Sequence, residues 1–214
     1  TTAFEQWKIA YKLAPAADGK RDYHYTDGIA IYKHLLTTTT DEKLKTEYKA
    51  EILKLYDQAI NCYLAKSIST KNGTEEEMKA KLGYLYGRKA YDMFYILNSS
   101  YDDNIVALDN SISYAGDKSE YIIMDPYANI IVYEFKEGRM PKEKAVALYK
   151  RLSDIAEYNI ANNEKLSEGY QQAKEAMEGK FTEIEKQIFD CDYFKEKLIP
   201  EYEENKGDAQ TLKR

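Results

Sequence analysis

The side chains able to carry titratable or nucleophilic chemistry in this chain are two histidines, His24 and His34, two cysteines, Cys62 and Cys191, 37 carboxylates and 21 tyrosines. The histidines stand ten positions apart. On a helix of 3.6 residues per turn that spacing points them about 80° apart, which is poor geometry for a shared metal. His24 lies in Tyr23-His24-Tyr25, where a tyrosine and an imidazole together can move a proton. A surface histidine at a helix start accounts for the same three residues more simply. No His-Glu-x-x-His, Cys-x-x-Cys or phosphate-cradling Gly loop occurs. The expectation is therefore no catalytic residue, no metal ligand and no cofactor.

Cys62 sits beside Tyr63 on the apolar side of a helical pattern, the setting of a small core residue. Cys191 follows a helix boundary. Spacing alone leaves a Cys62–Cys191 disulfide open. The acidic runs Glu75-Glu76-Glu77 and Asp102-Asp103 fall where helices begin. Negative charge there offsets the positive end of the helix dipole, so these read as helix starts rather than acid–base pairs. Tyr84, Tyr86, Tyr91, Tyr95 and Tyr101 follow a spacing that is mostly core. Tyrosine combines a large apolar body with a hydroxyl that must reach water or a partner, and it is also enriched at binding surfaces.

Helices must position these groups. The 214 residues include only 10 Gly and 4 Pro, too few turn residues for a run of strands and hairpins. In Asp41–Lys66 the apolar positions Leu44, Tyr48, Ile52, Leu55, Tyr56, Ala59, Ile60 and Tyr63 step by three or four, which predicts one long amphipathic helix. Thr39 with Glu42 forms a capping-box pattern at its start. A second box, Thr74 with Glu77, opens a helix to about Leu97 with the stripe Met78, Leu82, Leu85, Tyr86, Ala90 and Met93. A third long helix begins at Pro141, a favoured first helical residue. Shorter helices are expected at about Ala3–Leu13, Tyr23–Leu36, Asp102–Tyr114 and Ser119–Lys136, the last delayed by Pro126. Glu164–Phe189 reads as one helix weakened at Gly179, followed by about Cys191–Glu204.

Composition excludes several classes. Lys and Arg number 31 against 37 acidic residues, a net charge of −6, with the cations scattered, so no nucleic-acid surface is expected. No stretch approaches the roughly 20 apolar residues of a membrane span. Two cysteines make no disulfide framework.

The order is helix after helix without an evident domain boundary, which fits either a bundle or a solenoid of helix pairs. Repeat fragments favour the solenoid. Leu82-Gly83 with Tyr86 matches the Leu-Gly-x-x-Tyr core of a tetratricopeptide first helix. Tyr127, Ile130, Ile131 and Gly138 resemble a first helix and its turn, and Ala145 with Tyr149 the second helix, with two extra residues in the turn. Trp7, Tyr11 and Pro15, then Gly28, Tyr32 and Leu35, form a further degenerate pair, and a new helix is expected near Asp208.

Taken in order, Trp7…Ala14-Pro15, Tyr25-Thr26-Asp27-Gly28, Leu55-Tyr56-Asp57-Gln58, Leu85-Tyr86-Gly87-Arg88-Lys89, Tyr127 with Lys136-Glu137-Gly138, and Asp190-Cys191-Asp192 leading to Pro200…Glu203-Glu204-Asn205 resemble a family of exported tetratricopeptide-repeat proteins of Gram-negative bacteria. The resemblance implies an all-α fold, an α–α superhelix built as a TPR-like solenoid of stacked antiparallel helix pairs over residues 1–214. It implies a periplasmic or cell-surface location and a role in binding a protein or peptide partner, and it supplies no catalytic residues. The oxidising compartment so implied also leaves open a pairing of Cys191 with a cysteine beyond Arg214; the reduced state is the reading adopted. The long helices depart from the repeat consensus. In such a unit the concave groove is lined by first-helix positions flanking the packing residues. Aligned on Leu82-Gly83 these include Tyr84 and Arg88; aligned on Tyr127 they include Val132, Phe135 and Lys136. The chain opens at Thr1 without Met or a signal segment and stops at Arg214, early in a helix, so a fragment of a longer protein is expected. The function expected is a non-catalytic interaction scaffold. The competing expectation is a helical enzyme or carbohydrate-binding protein using Tyr and carboxylates in a cleft.

Overall fold

Three of the described helices begin on a short polar side chain that accepts a first-turn N–H. The computed structural model describes residues 2–16 and 19–190, together with Tyr193, Lys195, Ile199 and Glu203. Expectations resting on Cys191, on Pro200 and on the chain from Glu204 onward lie outside the described residues. In chain order the helices are α1 (Thr2–Leu13), α2 (Tyr23–Thr38), α3 (Glu42–Leu64), α4 (Glu75–Asp92), α5 (Tyr101–Ala115), α6 (Met124–Lys136), α7 (Lys142–Asn162), α8 (Ser167–Phe181) and the single turn α9 (Glu185–Ile188). A π-helical turn, Met93–Leu97, continues α4, and 3-10 turns at Gly116–Lys118 and Tyr121–Ile123 lead into α6. Among the described residues there is no strand, and no helix is long and apolar enough to cross a membrane.

The second capping box forms. Thr74 Oγ1 accepts from Glu77 N at 3.2 Å, while the Glu77 carboxylate is held below the usual range by the Asn72 N–H first, with the Thr74 N–H also contributing. Ser100 caps α5 in the same way through Asp103 N. The first box is corrected by the structure. Asp41, not Thr39, caps α3, its Oδ1 taking Lys43 N at 2.8 Å and Leu44 N at 3.2 Å. Thr39 Oγ1 is used one step earlier, by Asp41 N, because a carboxylate adjoining the first turn is the better acceptor for its free N–H groups. The expected helix over 164–189 is also divided, though not at Gly179. α8 ends at Phe181, where Thr182 Oγ1 donates to the Gly179 carbonyl at 2.6 Å and a turn through Ile184 begins α9. Ile184 and Ile188 are buried by that turn.

The chain divides into two compact units, Thr1–Ile123 and Met124–Arg214. In the first, neighbouring helices run antiparallel, as their contacts show. Phe4 meets Tyr32 while Tyr11 meets Tyr25 across α1 and α2. A Cβ on Gly28 would lie 2.2 Å from the Trp7 ring, and Trp7 Nε1 donates to the His24 carbonyl at 2.7 Å. Across α4 and α5, a Cβ on Gly83 would lie 2.5 Å from Ala115 Cβ, and one on Gly87 would lie 2.9 Å from Ser111 Oγ. Two glycines four apart thus share one face and let the helices close to near backbone contact. Ile52, Leu55, Ala59, Leu85, Leu108 and Ile123 fill the core of this unit.

The second unit is closed by bulk rather than by absence of side chain. Tyr127, Ile130 and Ile131 of α6 and Leu152 and Ile155 of α7 are fully buried, and α8 packs against both helices. Tyr149 meets the Phe181 ring edge-on at 4.8 Å between α7 and α8. Pro126 falls within the first turn of α6, where its missing N–H costs no helical bond. A 34-residue repeat leaves each helix about half that length; α3 with 23 residues and α7 with 21 exceed it.

Candidate functional site

Lys81, Tyr84 and Arg88 follow one another at i, i+3 and i+7 on α4, so they form one stripe of its surface. Tyr84 is 39 % exposed. The Lys81 Nζ lies 5.1 Å and the Arg88 guanidinium 5.2 Å from its ring centroid, within the range of cation–π attraction. Each cation is fixed by a carboxylate from elsewhere in the unit. Lys81 pairs with buried Asp22 at 2.8 Å, and Arg88 makes a bidentate pair with Glu120 through Nε and Nη2, both at 3.0 Å. Partial burial works against the Arg88 charge, but Glu120 more than offsets this and raises its pKa. The planar fork of Arg suits such a pair and holds the guanidinium in one orientation. The result is an exposed aromatic ring presented between two immobilised cations.

Beneath the stripe lies a buried polar link between three helices. Asp92, the last residue of α4, is 2 % exposed. Its Oδ2 accepts from Tyr56 Oη of α3 at 2.7 Å and its Oδ1 from Lys33 Nζ of α2 at 2.6 Å. Burial, and then the Asp92 charge, pushes the Tyr56 hydroxyl far above the ordinary tyrosine range. The hydroxyl therefore stays protonated and serves as a donor. The π-helical turn begins at the next residue, and Asn98 in the left-handed region (φ 52°) closes it with an N–H to the Met93 carbonyl. Asn tolerates that conformation better than other non-Gly residues.

Phe135 and Lys136 belong to the second unit, at the end of α6. Phe135 is half-buried and Lys136 exposed. Lys136 pairs with Glu183 at 2.7 Å, and Lys180 meets the same carboxylate at 2.6 Å. These two cations, Lys136 foremost, push Glu183 down to about 2. Val132, expected beside them in a groove, is 1 % exposed and part of the core; that expectation is corrected, because the α6 stripe turns Val132 inward with Ala128 and Ile131. Of the five residues expected to line a groove, Tyr84 and Arg88 are brought together, the guanidinium lying over the ring at 5.2 Å from its centroid.

Of the other chemistry-bearing residues, His24 and Cys62 have structural partners. His24 Nδ1 donates to the Ala14 carbonyl at 2.6 Å, tying α2 to the end of α1. His34 is exposed. Cys62 is a free thiol; it is half-buried rather than core, with Tyr25 Oη 3.2 Å from its Sγ. Among the described residues no group of three His, Cys, Asp or Glu is placed to hold a metal ion. The carboxylates whose pKa moves do so downward: Glu75, Glu76, Glu77, Glu134 and Glu183.

Sequence reading missed Asp92, Lys33 and Glu120. Asp92 did leave a signal, since it lies seven positions after buried Leu85, on the face where α4 is otherwise apolar. Its partners lie 36 and 59 positions away and left none. Comparison with models of protein families, with curated proteins and with solved structures returned no match.

Proposed function

We propose that the chain is a non-catalytic protein-interaction scaffold, its helix pairs stacking as degenerate tetratricopeptide-like repeats into an α–α superhelix, with α4 presenting the contact surface. The observation that carries this reading is Tyr84, exposed and held between Lys81 and Arg88. A rigid ring flanked by fixed guanidinium and ammonium groups loses little conformational freedom when a partner covers it, and Tyr and Arg are the residue types that dominate binding energy. Lys136 and Phe135 on α6 are assigned a lesser part, because half-buried Phe135 offers less ring to a partner than exposed Tyr84. The non-catalytic part of the reading is supported by His24, whose ring nitrogen is taken up by a backbone carbonyl rather than by a carboxylate. Residence in the periplasm or at the cell surface follows from the family resemblance alone.

The test uses the full-length protein as bait in its native envelope fraction, beside a Tyr84→Ala/Arg88→Ala variant of equal thermal stability. A specific protein retained by the wild type and reduced at least about tenfold by the variant is the expected result, the loss typical of removing an interfacial anchor. Retention that ignores the double substitution, or no retained protein at all, overturns the reading.

A further inference from the structure

Where α1 ends, the first unit carries an open cleft of about 540 Å³ whose lining includes Tyr11, Lys12, Pro15, Tyr25, Gln58 and Asn61. The size is that of a small-molecule site, and it holds one or two sugar rings. The chemistry of the wall narrows the ligand further. Tyr11 is immobilised on three sides. Its ring stacks on Trp7 at 5.1 Å with 15° between the planes, and meets Tyr25 edge-on at 6.0 Å. Its hydroxyl donates to Gln58 Oε1. That last bond orients the Gln58 amide, since the acceptor end is occupied and the two N–H donors are left for another group. Asn61 follows three positions later on α3, one turn along the same side, and adds a second amide with both donors and an acceptor.

Each competing ligand class fits this wall badly. An apolar ligand would strip water from the Gln58 and Asn61 amides and return no hydrogen bond, a costly exchange. A cationic ligand would find no carboxylate among the described lining residues and would meet Lys12. An anion would find Lys12 as the sole cation among the described lining residues. An extended peptide needs a longer groove than one whose wall is drawn from the end of α1 and the turn after it, the start of α2, and the last turns of α3 with the residues just beyond. A neutral polyhydroxylated ring satisfies the wall as it stands. Its hydroxyls both donate to and accept from primary amides, and its C–H edges carry the partial positive charge that the negative face of an aromatic ring attracts.

We propose that this cleft binds a neutral saccharide of one or two rings, with Tyr11 as the aromatic platform and Gln58 and Asn61 as the amides that read its hydroxyls. The site is independent of the α4 stripe and of the scaffold reading. Trp7 provides the probe, because it is the only tryptophan of the chain and stacks directly on Tyr11. The intact protein is titrated with glucose, galactose, mannose, N-acetylglucosamine, cellobiose and maltose at up to millimolar concentration, following Trp7 fluorescence and the heat of binding. Glucuronate and an extended peptide of neutral sequence serve as the competing classes. At least one neutral sugar is expected to bind, with Asn61→Ala and Gln58→Ala each weakening it roughly three- to tenfold, as loss of a neutral hydrogen bond does. Asn61 is exposed on α3, so its substitution leaves the fold intact and keeps the test valid if the Gln58 variant unfolds. Tyr84→Ala is expected to leave sugar affinity unchanged. Absence of binding by every neutral sugar, tighter binding of glucuronate or of the peptide, or affinity indifferent to Asn61→Ala would each overturn the proposal.

Discussion

Asp92 in the first unit and Glu134 in the second are both carboxylates drawn into helix packing, and the chain answers them in opposite ways. Asp92 is satisfied by Tyr56 and Lys33, 36 and 59 positions distant, on two other helices. Glu134 is satisfied by Arg139 five positions on, through Nε at 2.6 Å and Nη2 at 2.8 Å. The turn that brings Arg139 back is the end of α6 itself, with Gly138 at φ +71° and the Arg139 N–H on the Glu134 carbonyl. Glu134 is therefore paired as soon as α6 ends properly. Asp92 is paired only once α2, α3 and α4 have assembled. The same contrast runs through the packing. The α4–α5 seam depends on the missing side chains of Gly83 and Gly87, whereas Gly179 of α8 faces open space. In the second unit the long-range pairs Lys136–Glu183 and Lys142–Asp190 lie toward the surface. Position in the assembly, not residue type, decides what each group is worth.

The largest effect is expected from breaking the Asp92 link. Asp92→Ala leaves the Tyr56 hydroxyl buried without its acceptor and Lys33 without its counter-charge, and should destabilise the first unit by about 3 kcal/mol. Urea unfolding followed through Trp7 measures it. Glu134→Ala, followed by amide exchange in α6, is expected to shift stability by only a small fraction of that, since the Arg139 it releases is half in solvent. Equal losses in the two variants would erase the distinction between assembly-dependent and local pairing.

A glycine exchange probes the seams with one chemical change of opposite sign. Gly83→Ala puts a methyl group 2.5 Å from Ala115 Cβ and 2.8 Å from its backbone nitrogen. The helices must separate, and the net cost is expected to be about 1–2 kcal/mol after the helical preference of Ala is credited. Gly179→Ala meets nothing within 4 Å and should stabilise α8 by roughly 0.5–1 kcal/mol. Thermal melts of the two variants that move in the same direction would contradict the seam assignment.

The smallest effect concerns the surface pairs of the second unit. Lys136 and Lys180 push Glu183 down to about 2. A depressed folded-state value means that its contribution is present above the ordinary carboxylate range and fades as pH falls through about 2. Carboxyl NMR titration should show Glu183 ionising below the ordinary carboxylate range, and Lys136→Ala should move it upward. An unchanged titration in that variant would remove Lys136 from the link between α6 and the α8–α9 turn.

Much of the fold was legible because helices write a local period. The stripe Ile52, Leu55, Tyr56, Ala59, Ile60 and Tyr63 of α3 is buried as its spacing predicts, and the Thr74 cap forms where its pattern stands. Local reading failed where two local solutions compete, as between Thr39 and Asp41 at the start of α3, and where a turn depends on what it buries, as at Ile184. The candidate site was half legible. Tyr84 and Arg88 follow from one repeat-like core, Leu82-Gly83 with Tyr86. Glu120, which holds Arg88, and Asp22, which holds Lys81, come from chain segments with no pattern pointing at α4. Gln58 and Tyr11, 47 positions apart, show nothing in the sequence of their shared bond.

The sequence by itself determined the helical class, the positions of most helices and which face of each is apolar, because hydrogen bonds four residues apart and a 3.6-residue period are properties of short segments. Tertiary structure alone decided which glycines are contacts, which carboxylate is buried, and which side chains meet in the cleft. Those are properties of pairs distant along the chain. Their energies come from burial and from groups brought within hydrogen-bonding distance, and neither exists until the helices pack.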